Sequence, residues 1–242
     1  MTFQEALTNT NGSEVRSLAA ELADPLNLQW DVGIETVLNA VIQNPTHAPS
    51  KIKDATLQRM LLKWLKQYKD GLDSRISVRR SKLPGTVPDP IIDLIVGTHL
   101  SHLTEENIDK IRYAHRLAMS AENVLGLLLE EYLAEEMIEF GWHCAWGETL
   151  RSIDFVNVDG RLRQVKNRSN SENSSSSRVR VGTSIDKWCR VNASTGRYFW
   201  DDLNRMNGTT KFSEEKFRAF VLKTIKGNPH ALAIEDLNPW RL

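Results

Sequence analysis

The sequence predicts an α/β fold, in which a central mixed sheet of about four or five strands is flanked by helices and preceded by a helical N-terminal region. Helical hydrophobic periodicity dominates the first hundred residues. Two short β-like segments joined by a turn occupy residues 154–166, and helical patterns resume after them. We therefore expect a helical region at residues 1–100 and a sheet-containing core at residues 101–242.

Length and composition limit the possible classes of protein. The chain has 242 residues, enough for one large domain or two small ones, and its 31 basic residues balance 31 acidic ones. Only local clustering of charge can therefore indicate a nucleic-acid partner. Two cysteines make neither a metal cluster nor a disulfide framework, and no signal peptide or membrane-spanning run is visible. We expect a reduced, cytoplasmic protein without a membrane partner.

The N-terminal region divides into several predicted helices. Residues 13–44 have a helical pattern that is interrupted at Asp24-Pro25 and Asn44-Pro45. Residues 51–71 form an amphipathic helix, for which Gly71 is a plausible C-terminal stop. The polar face of this helix is rich in lysine, and it is either a solvated surface or a surface that faces phosphates.

A basic loop follows that helix. Arg75, Arg79, Arg80 and Lys82 come before the next acid, Asp89. Such a loop can contact a DNA backbone, and it is equally typical of a flexible surface loop.

Helical patterns return before the sheet. Thr104 is a suitable N-cap for a helix to about Leu117, and a second helix is predicted over residues 120–140. Most of the acids of this second helix should face solvent. Residues 141–147 are predicted to form the first strand, in which His143 is more typical of a packed side chain than of a catalytic base. Glu148, near the start of the next strand, is a further possible acid.

The hairpin at residues 154–166 carries the candidate chemistry. Gln164 and Lys166 are two residues apart and therefore share one face of their strand. A two-residue turn would put Asp154 on the opposite face. A three-residue turn at residues 158–160, with Gly160 in the left-handed conformation, would put Asp154 directly across from Gln164. We expect the longer turn.

A carboxylate, a carboxamide oxygen and an ammonium on one patch of sheet can hold a hard divalent cation and orient a water molecule. Residues 161–190 also contain eight Lys or Arg residues against two acids, Glu172 and Asp186. This local positive charge predicts a polyanionic ligand.

The spacing of Asp154, Gln164 and Lys166 resembles the Q-x-K variant of the PD-(D/E)XK nuclease motif. The run QVKNRSNSENSSSSRVRVGT and the following Ile185-Asp186-Lys187-Trp188 resemble SinI-type type II restriction endonucleases, which cut GGWCC-type sites. The resemblance is strongest over residues 115–205. Two departures are Ile153 in place of the proline of the motif and Gln164 in place of its second acid.

This resemblance implies a PD-(D/E)XK restriction-endonuclease-like core that hydrolyses double-stranded DNA at a short specific sequence with Mg²⁺. Asp154 and Gln164 would hold the metal, and Lys166 would stabilise charge in the reaction. A third acid would restore the missing negative charge. Glu130 is preferred for this role because the pattern from Glu122 to Glu130 resembles the first core helix of many such nucleases, with Glu131 and Glu122 as alternatives.

The resemblance also suggests partners and a recognition segment. Cutting both strands of a symmetric site requires two catalytic centres, so we expect a homodimer, formed through either the N-terminal helices or those at residues 197–225. A cognate DNA methyltransferase would be a functional partner. Residues 170–177 are either a flexible linker or a DNA-contacting segment, and we expect the latter. The predicted DNA-binding residues are Arg79, Arg80, Arg168, Asn170, Ser171, Glu172, Asn173, Ser174, Ser175, Arg178, Arg180 and Lys187.

Two alternatives to a restriction enzyme are a non-catalytic DNA-binding protein on a nuclease fold and a transposon or repair-type nuclease. At the C-terminal end, helices are predicted around residues 185–190, 197–206 and 213–225, and Ser213 is a suitable N-cap for the last of them.

Overall fold

The computed structural model describes residues 1–83, 85–169 and 184–241, which form an α/β fold. The α-helices of these residues are α1 Phe3–Thr8, α2 Gly12–Ala23, α3 Val32–Gln43, α4 Leu57–Asp73, α5 Pro90–His99, α6 Glu105–Glu136, α7 Trp200–Asn207 and α8 Glu214–Gly227. The strands are β1 Trp142–Cys144, β2 Phe155–Asn157, β3 Leu162–Arg168 and β4 Ile185–Val191.

The four described strands form one mixed sheet in the order β1-β2-β3-β4. β2 is antiparallel to both β1 and β3, whereas β3 and β4 run parallel. The predicted mixed sheet flanked by helices is therefore confirmed.

The turn between β2 and β3 has the predicted length. Phe155 pairs with Arg163, and the amide of Asn157 donates to the carbonyl of Arg161 at 2.8 Å, which leaves residues 158–160 as a three-residue turn. Gly160 has a φ of 89°, in the left-handed region that favours glycine. In this register Asp154 lies across from Gln164, as predicted.

Each face of the sheet is covered by its own hydrophobic cluster. The N-terminal helices α1–α4 pack with Val156, Leu162 and Ile185 of the strands. On the other face, α6, α7 and α8 pack with Phe155, Val165 and Trp188. Because side chains alternate between the two faces, the face that carries Leu162 also carries Gln164 and Lys166. The predicted division near residue 100 stays a prediction.

The N-terminal helices follow the sequence signals closely, with one difference at α4. The predicted breaks at Asp24-Pro25 and Asn44-Pro45 both lie just beyond helix ends. α4, however, continues to Asp73 and does not stop at Gly71. A Cβ atom at Gly71 would overlap the backbone of Gly147, so this glycine permits a close approach between α4 and the segment before β2.

Two predictions about the later elements are wrong. The two helices predicted between residues 104 and 140 are one 32-residue helix, α6, whose N-cap is Thr104 as predicted. Residues 185–190, predicted as a helix, belong to strand β4. The spacing of its buried Ile185 and Trp188 resembles helical periodicity, but the parallel pairing with β3 determines the conformation.

The two C-terminal helices are close to their predicted positions. The hydroxyl of Ser213 caps α8 by accepting from the amide of Lys216, as the sequence indicates. None of the helices in the described ranges is long and apolar enough to cross a membrane.

Candidate active site

Asp154 is fixed by backbone and side-chain hydrogen bonds. Its amide donates to the carbonyl of Arg163 at 2.9 Å, and its carbonyl accepts from the amide of Ala145 at 2.8 Å. The backbone just before β2 is thereby held between β1 and β3. The carboxylate of Asp154 accepts from the amide of Val165 at 2.7 Å, which orients the side chain toward the strand that carries Gln164 and Lys166.

The fourth predicted catalytic residue comes from a different element. Glu130 is on α6, and it lines a cavity of about 1300 Å³ together with Asp154, Gln164 and Lys166. The predicted alternatives to Glu130 lie elsewhere: Glu122 is exposed, and Glu131 is buried beside a second cavity, where it accepts from the amide of Ser77. Of the three glutamates considered, Glu130 is thus the one that shares the cavity.

Acidic side chains lie close together in this cavity, and their burial and mutual repulsion raise their pKa values. Burial raises the pKa of Glu130 to about 8, and the negative charge of Asp154 contributes in the same direction. The pKa of Asp154 is also raised, again chiefly by burial, although the Val165 amide and the Lys166 ammonium oppose the shift. Two buried carboxyl groups that repel each other make a favourable place for a cation.

The donor set fits Mg²⁺. Carboxylate and carboxamide oxygens are hard ligands, and Mg²⁺ in phosphate-processing sites is commonly held by one or two carboxylates, with waters and substrate phosphates as the remaining ligands. Among the described residues there is no group of three His, Cys, Asp or Glu side chains that could hold a metal ion. Glu148, the further acid named in the sequence analysis, also lines the cavity, and its charge raises the pKa of both Glu130 and Asp154. A metal here would use the carboxylates of Glu130 and Asp154 and the neutral carbonyl of Gln164, with Glu148 as a further acid of the same cavity.

The segment that leads to Asp154 has a strained backbone. Glu148 and Ser152 have φ values of 58° and 59°, in a region that residues other than glycine rarely adopt. Helix α4 holds this segment, because the indole of Trp64 donates to the carbonyl of Thr149 at 3.0 Å and the amide of Gln67 donates to the carbonyl of Glu148 at 2.9 Å. Strain of this kind persists where the surrounding structure fixes the backbone.

The same cavity has a basic wall. Besides Lys166, the positively charged residues that line it come from or next to α4 and from the segment before β2: Lys51, Lys63, Lys66, Arg75 and Arg151. The lysine-rich face of α4 is therefore directed in part toward the candidate active site. A phosphate backbone placed against this wall would bring its phosphates near Asp154.

The predicted DNA-binding residues are distributed over several places. Lys187 on β4 lies in register with Gln164, and Arg168 is at the exposed end of β3. Arg79 and Arg80 lie in the loop after α4, where Arg79 donates to the hydroxyl of Ser81 at 3.3 Å. The other predicted contacts lie outside the described residues: Asn170, Ser171, Glu172, Asn173, Ser174, Ser175, Arg178 and Arg180.

Arg151 and His143 line the two cavities of this region. Arg151 lines the cavity, and sequence reasoning missed it because an isolated arginine between two strands has no distinguishing pattern. Its position just before the strand of Asp154 was the only available signal. His143, predicted as a packed strand residue, is half-buried on β1 and lines the second cavity, of about 390 Å³.

A mixed sheet flanked by helices, with Asp154 just before β2, Gln164 and Lys166 on β3 and Glu130 on a core helix, defines a restriction-endonuclease-like core. The family model of the SinI restriction endonuclease matches residues 36–227. The chain belongs to this family.

Two relatives support the same assignment. Over 148 residues the chain is 39% identical to the type II restriction enzyme Eco47I of Escherichia coli, a match that covers 59% of this chain and 64% of that protein. Over 143 residues it is 38% identical to the type II restriction enzyme SinI of Salmonella infantis, a match that covers 57% of this chain and 62% of that protein. The chain thus matches less than two thirds of the length of either relative.

Proposed function

We propose that this protein is a type II restriction endonuclease that hydrolyses phosphodiester bonds of double-stranded DNA with Mg²⁺. The observation that carries the proposal is the cavity that Glu130, Asp154, Gln164 and Lys166 line together beside a basic wall. Family membership supports the same activity.

In this proposal three of the four side chains would bind the metal, and the fourth would act on the phosphate. Asp154, Gln164 and Glu130 would hold Mg²⁺ through oxygen atoms. Bound there, Mg²⁺ would neutralise phosphate charge and lower the pKa of a nearby water. The ammonium of Lys166 would donate to the reacting phosphate and stabilise the negative charge that develops in the transition state. The carboxylate of Asp154 keeps its orientation through the Val165 amide.

The basic wall would bind the DNA backbone. Lys51, Lys66 and Arg151 line the same cavity as the four catalytic candidates. Contacts from such side chains to phosphates are independent of sequence, and they fix the register of the protein on the duplex. They would place a phosphodiester bond within reach of the four catalytic side chains.

The target and the partners belong to the same proposal. We propose a short palindromic GGWCC-like site, on the strength of the family resemblance, and a homodimer that cuts both strands. A cognate DNA methyltransferase would protect the host sites and would be a functional rather than a physical partner. A DNA substrate would place the protein in the cytoplasm.

Digestion of a plasmid with and without Mg²⁺, followed by sequencing of the fragment ends, tests this function. We expect defined double-strand fragments with Mg²⁺ alone. Asp154→Ala and Lys166→Ala proteins should still bind specific DNA but cut it at least ~100-fold more slowly, because each loses a group that acts on the transition state. Asp201→Ala and Lys226→Ala, which remove exposed charges of α7 and α8, are the matched controls.

The alternatives give different products. Retarded but intact DNA would indicate a non-catalytic binding protein. This alternative arises because the neutral Gln164 stands where the nuclease motif has an acid. Nicked plasmid, or cleavage that requires partner proteins, would indicate a transposon or repair-type nuclease. Full activity in both the Asp154 and Lys166 variants would contradict the proposed site.

A further inference from the structure

Helix α5 is largely apolar, yet none of its residues is buried. Ile91, Ile92, Leu94 and Ile95 are 56%, 58%, 63% and 62% exposed. Because successive helical residues are rotated by about 100°, these four positions lie within one arc of about 160°, on the side of the helix away from Asp93. An apolar helix face of this width is normally packed against a core.

The exposed helix is nevertheless held in a defined position. Arg112 of α6 forms an ion pair with Asp93 of α5 at 2.6 Å and another with Asp109 at 2.9 Å. At Gly97 the two helices touch, since a Cβ atom there would lie 2.9 Å from Ile108. Before Val124, α6 contributes no buried residue. Helix α5 and the part of α6 before Val124 therefore form a hairpin that contributes no residue to either hydrophobic cluster.

This α5–α6 hairpin exposes a group of large apolar side chains, which we call the α5–α6 surface. It consists of Ile91, Ile92, Leu94, Ile95, Ile111 and Met119, the last two being 44% exposed. Six such side chains supply an apolar area on the order of several hundred Å², a large part of the ~800 Å² that each partner contributes to a protein interface of standard size. Exposed apolar groups of this size mark sites of interaction, whereas single exposed apolar side chains are normal.

The charge of the hairpin argues against DNA as its partner. The ten residues of α5 include no Lys or Arg, and their one acid, Asp93, is paired with Arg112. A polyanion would find no cation on this helix. A surface of the same apolar composition is the complementary partner, and a second copy of the chain supplies one through a two-fold axis.

We propose that the α5–α6 surface is the homodimer interface, in which the α5 helices of two copies pack against each other. This inference rests on the proposed function, which requires two catalytic centres on one symmetric site. It selects the N-terminal helical region over the C-terminal helices, whose exposed apolar residues Leu222 and Ile225 share a face with charged neighbours such as Lys226.

Sedimentation of the full chain tests the interface. Wild-type protein should be a dimer at micromolar concentration, and Ile91→Glu/Ile95→Glu should raise the dissociation constant at least ~100-fold, because two charges per copy would be buried without partners. Leu222→Glu, at a residue 59% exposed on α8, is the matched control and should remain dimeric. Unchanged circular dichroism would show that the hairpin variant is folded.

Cross-linking provides a test that does not depend on disruption. Ile95→Cys should form a disulfide-linked dimer on mild oxidation, because Ile95 lies near the middle of the exposed arc of α5 and would meet its own copy if the two α5 helices pack across a two-fold axis, whereas Leu222→Cys should not. A wild-type protein that stays monomeric at tens of micromolar would overturn the proposal. So would a hairpin variant that sediments like the wild type. If a monomeric wild type also bound neutral phospholipid vesicles, the α5–α6 surface would be a membrane-binding surface instead.

Plasmid digestion of the same samples separates the two proposals. Suppose that the wild type is a dimer, that the Ile91→Glu/Ile95→Glu substitutions dissociate it, and that the wild type does not cut DNA. This result would support the interface and contradict the function. A monomer that cuts both strands in one encounter would support the function and contradict the interface.

Discussion

At the scale of single residues, the candidate site depends on two carboxyl groups that the fold holds close together without a compensating charge of equal strength. Lys166 lowers the pKa of both Glu130 and Asp154, yet burial outweighs it and both values remain raised. Without a bound cation, the folded protein therefore favours a protonated Glu130. This has a measurable effect on stability.

We expect Glu130→Gln to stabilise the metal-free protein in a pH-dependent manner. The pKa of Glu130 is raised from its ordinary 4.5 to about 8, so its contribution to stability is present below pH 4.5 and is lost as the pH rises to about 8. A glutamine at position 130 does not ionise, so the variant does not lose stability in this way as the pH rises. The gain in the free energy of unfolding should be near zero at pH 4.5 and reach the order of a few kcal/mol at pH 8.

Thermal unfolding in the presence of a chelator, followed from pH 4.5 to pH 9, measures this difference. Added Mg²⁺ should then raise the unfolding temperature of the wild type at pH 8 more than that of Glu130→Gln. An equal difference between the two proteins at all pH values would show that Glu130 is not desolvated as described.

At the scale of secondary-structure elements, the hairpin of β2 and β3 shows what local sequence can determine. The turn with Gly160 at its third position specifies the register, and the register brings Asp154 across from Gln164. Helix caps such as Thr104 and Ser213 were equally predictable, because capping is local chemistry.

Other elements depend on contacts that are remote in sequence. β4 is a strand because it pairs in parallel with β3, and its short sequence alone resembles a helix. The sequence analysis divided α6 into two helices, although neither glycine nor proline interrupts residues 105–125. That Glu130 shares a cavity with Lys66 of α4 follows only from tertiary packing.

Gly71→Ala tests the contact between α4 and the segment before β2. A Cβ atom at position 71 would overlap backbone atoms of Gly147, so α4 must move, and we expect a loss of at least about 2–3 kcal/mol in the free energy of unfolding. Gly126→Ala on α6 is the matched control, since nothing lies within 4 Å of its added Cβ. It should stabilise the protein by about 0.5–1 kcal/mol.

Chemical denaturation of both variants decides the matter. Equal stabilities would mean that Gly71 and Gly147 do not constrain the helix. Because the Trp64 and Gln67 side chains of α4 hold the strained segment before Asp154, we also expect Gly71→Ala to cut DNA more slowly than Gly126→Ala.

At the scale of the whole molecule, binding strength and sequence specificity should reside in different regions. Arg178→Ala or Arg180→Ala, in the segment that connects β3 to β4, should reduce discrimination between the cognate site and single-base variants. Nonspecific binding, which is sensitive to salt, should remain. Arg79→Ala should instead weaken binding to all sequences alike, because it removes only a phosphate contact.

Binding titrations at several salt concentrations, on cognate and altered duplexes, separate these effects. Each good bidentate contact contributes about 1–3 kcal/mol of discrimination, so a single arginine change should reduce specificity by one to two orders of magnitude. Full discrimination in both the Arg178 and Arg180 variants would move the recognition segment to the basic loop after α4.

Helix α6 connects the α5–α6 hairpin to Glu130 of the candidate active site in one uninterrupted helix. From Ile111 to Glu130 it rises about 28 Å, and in a dimer joined at the α5–α6 hairpin this length would help to fix the distance between the two catalytic centres. That distance would determine the length of the overhang on the DNA fragments. Ser120→Pro should kink α6 and leave each catalytic centre intact, but the two centres should no longer cut both strands in one encounter. Nicked circles should then accumulate before linear DNA. Ser120→Ala should cut like the wild type.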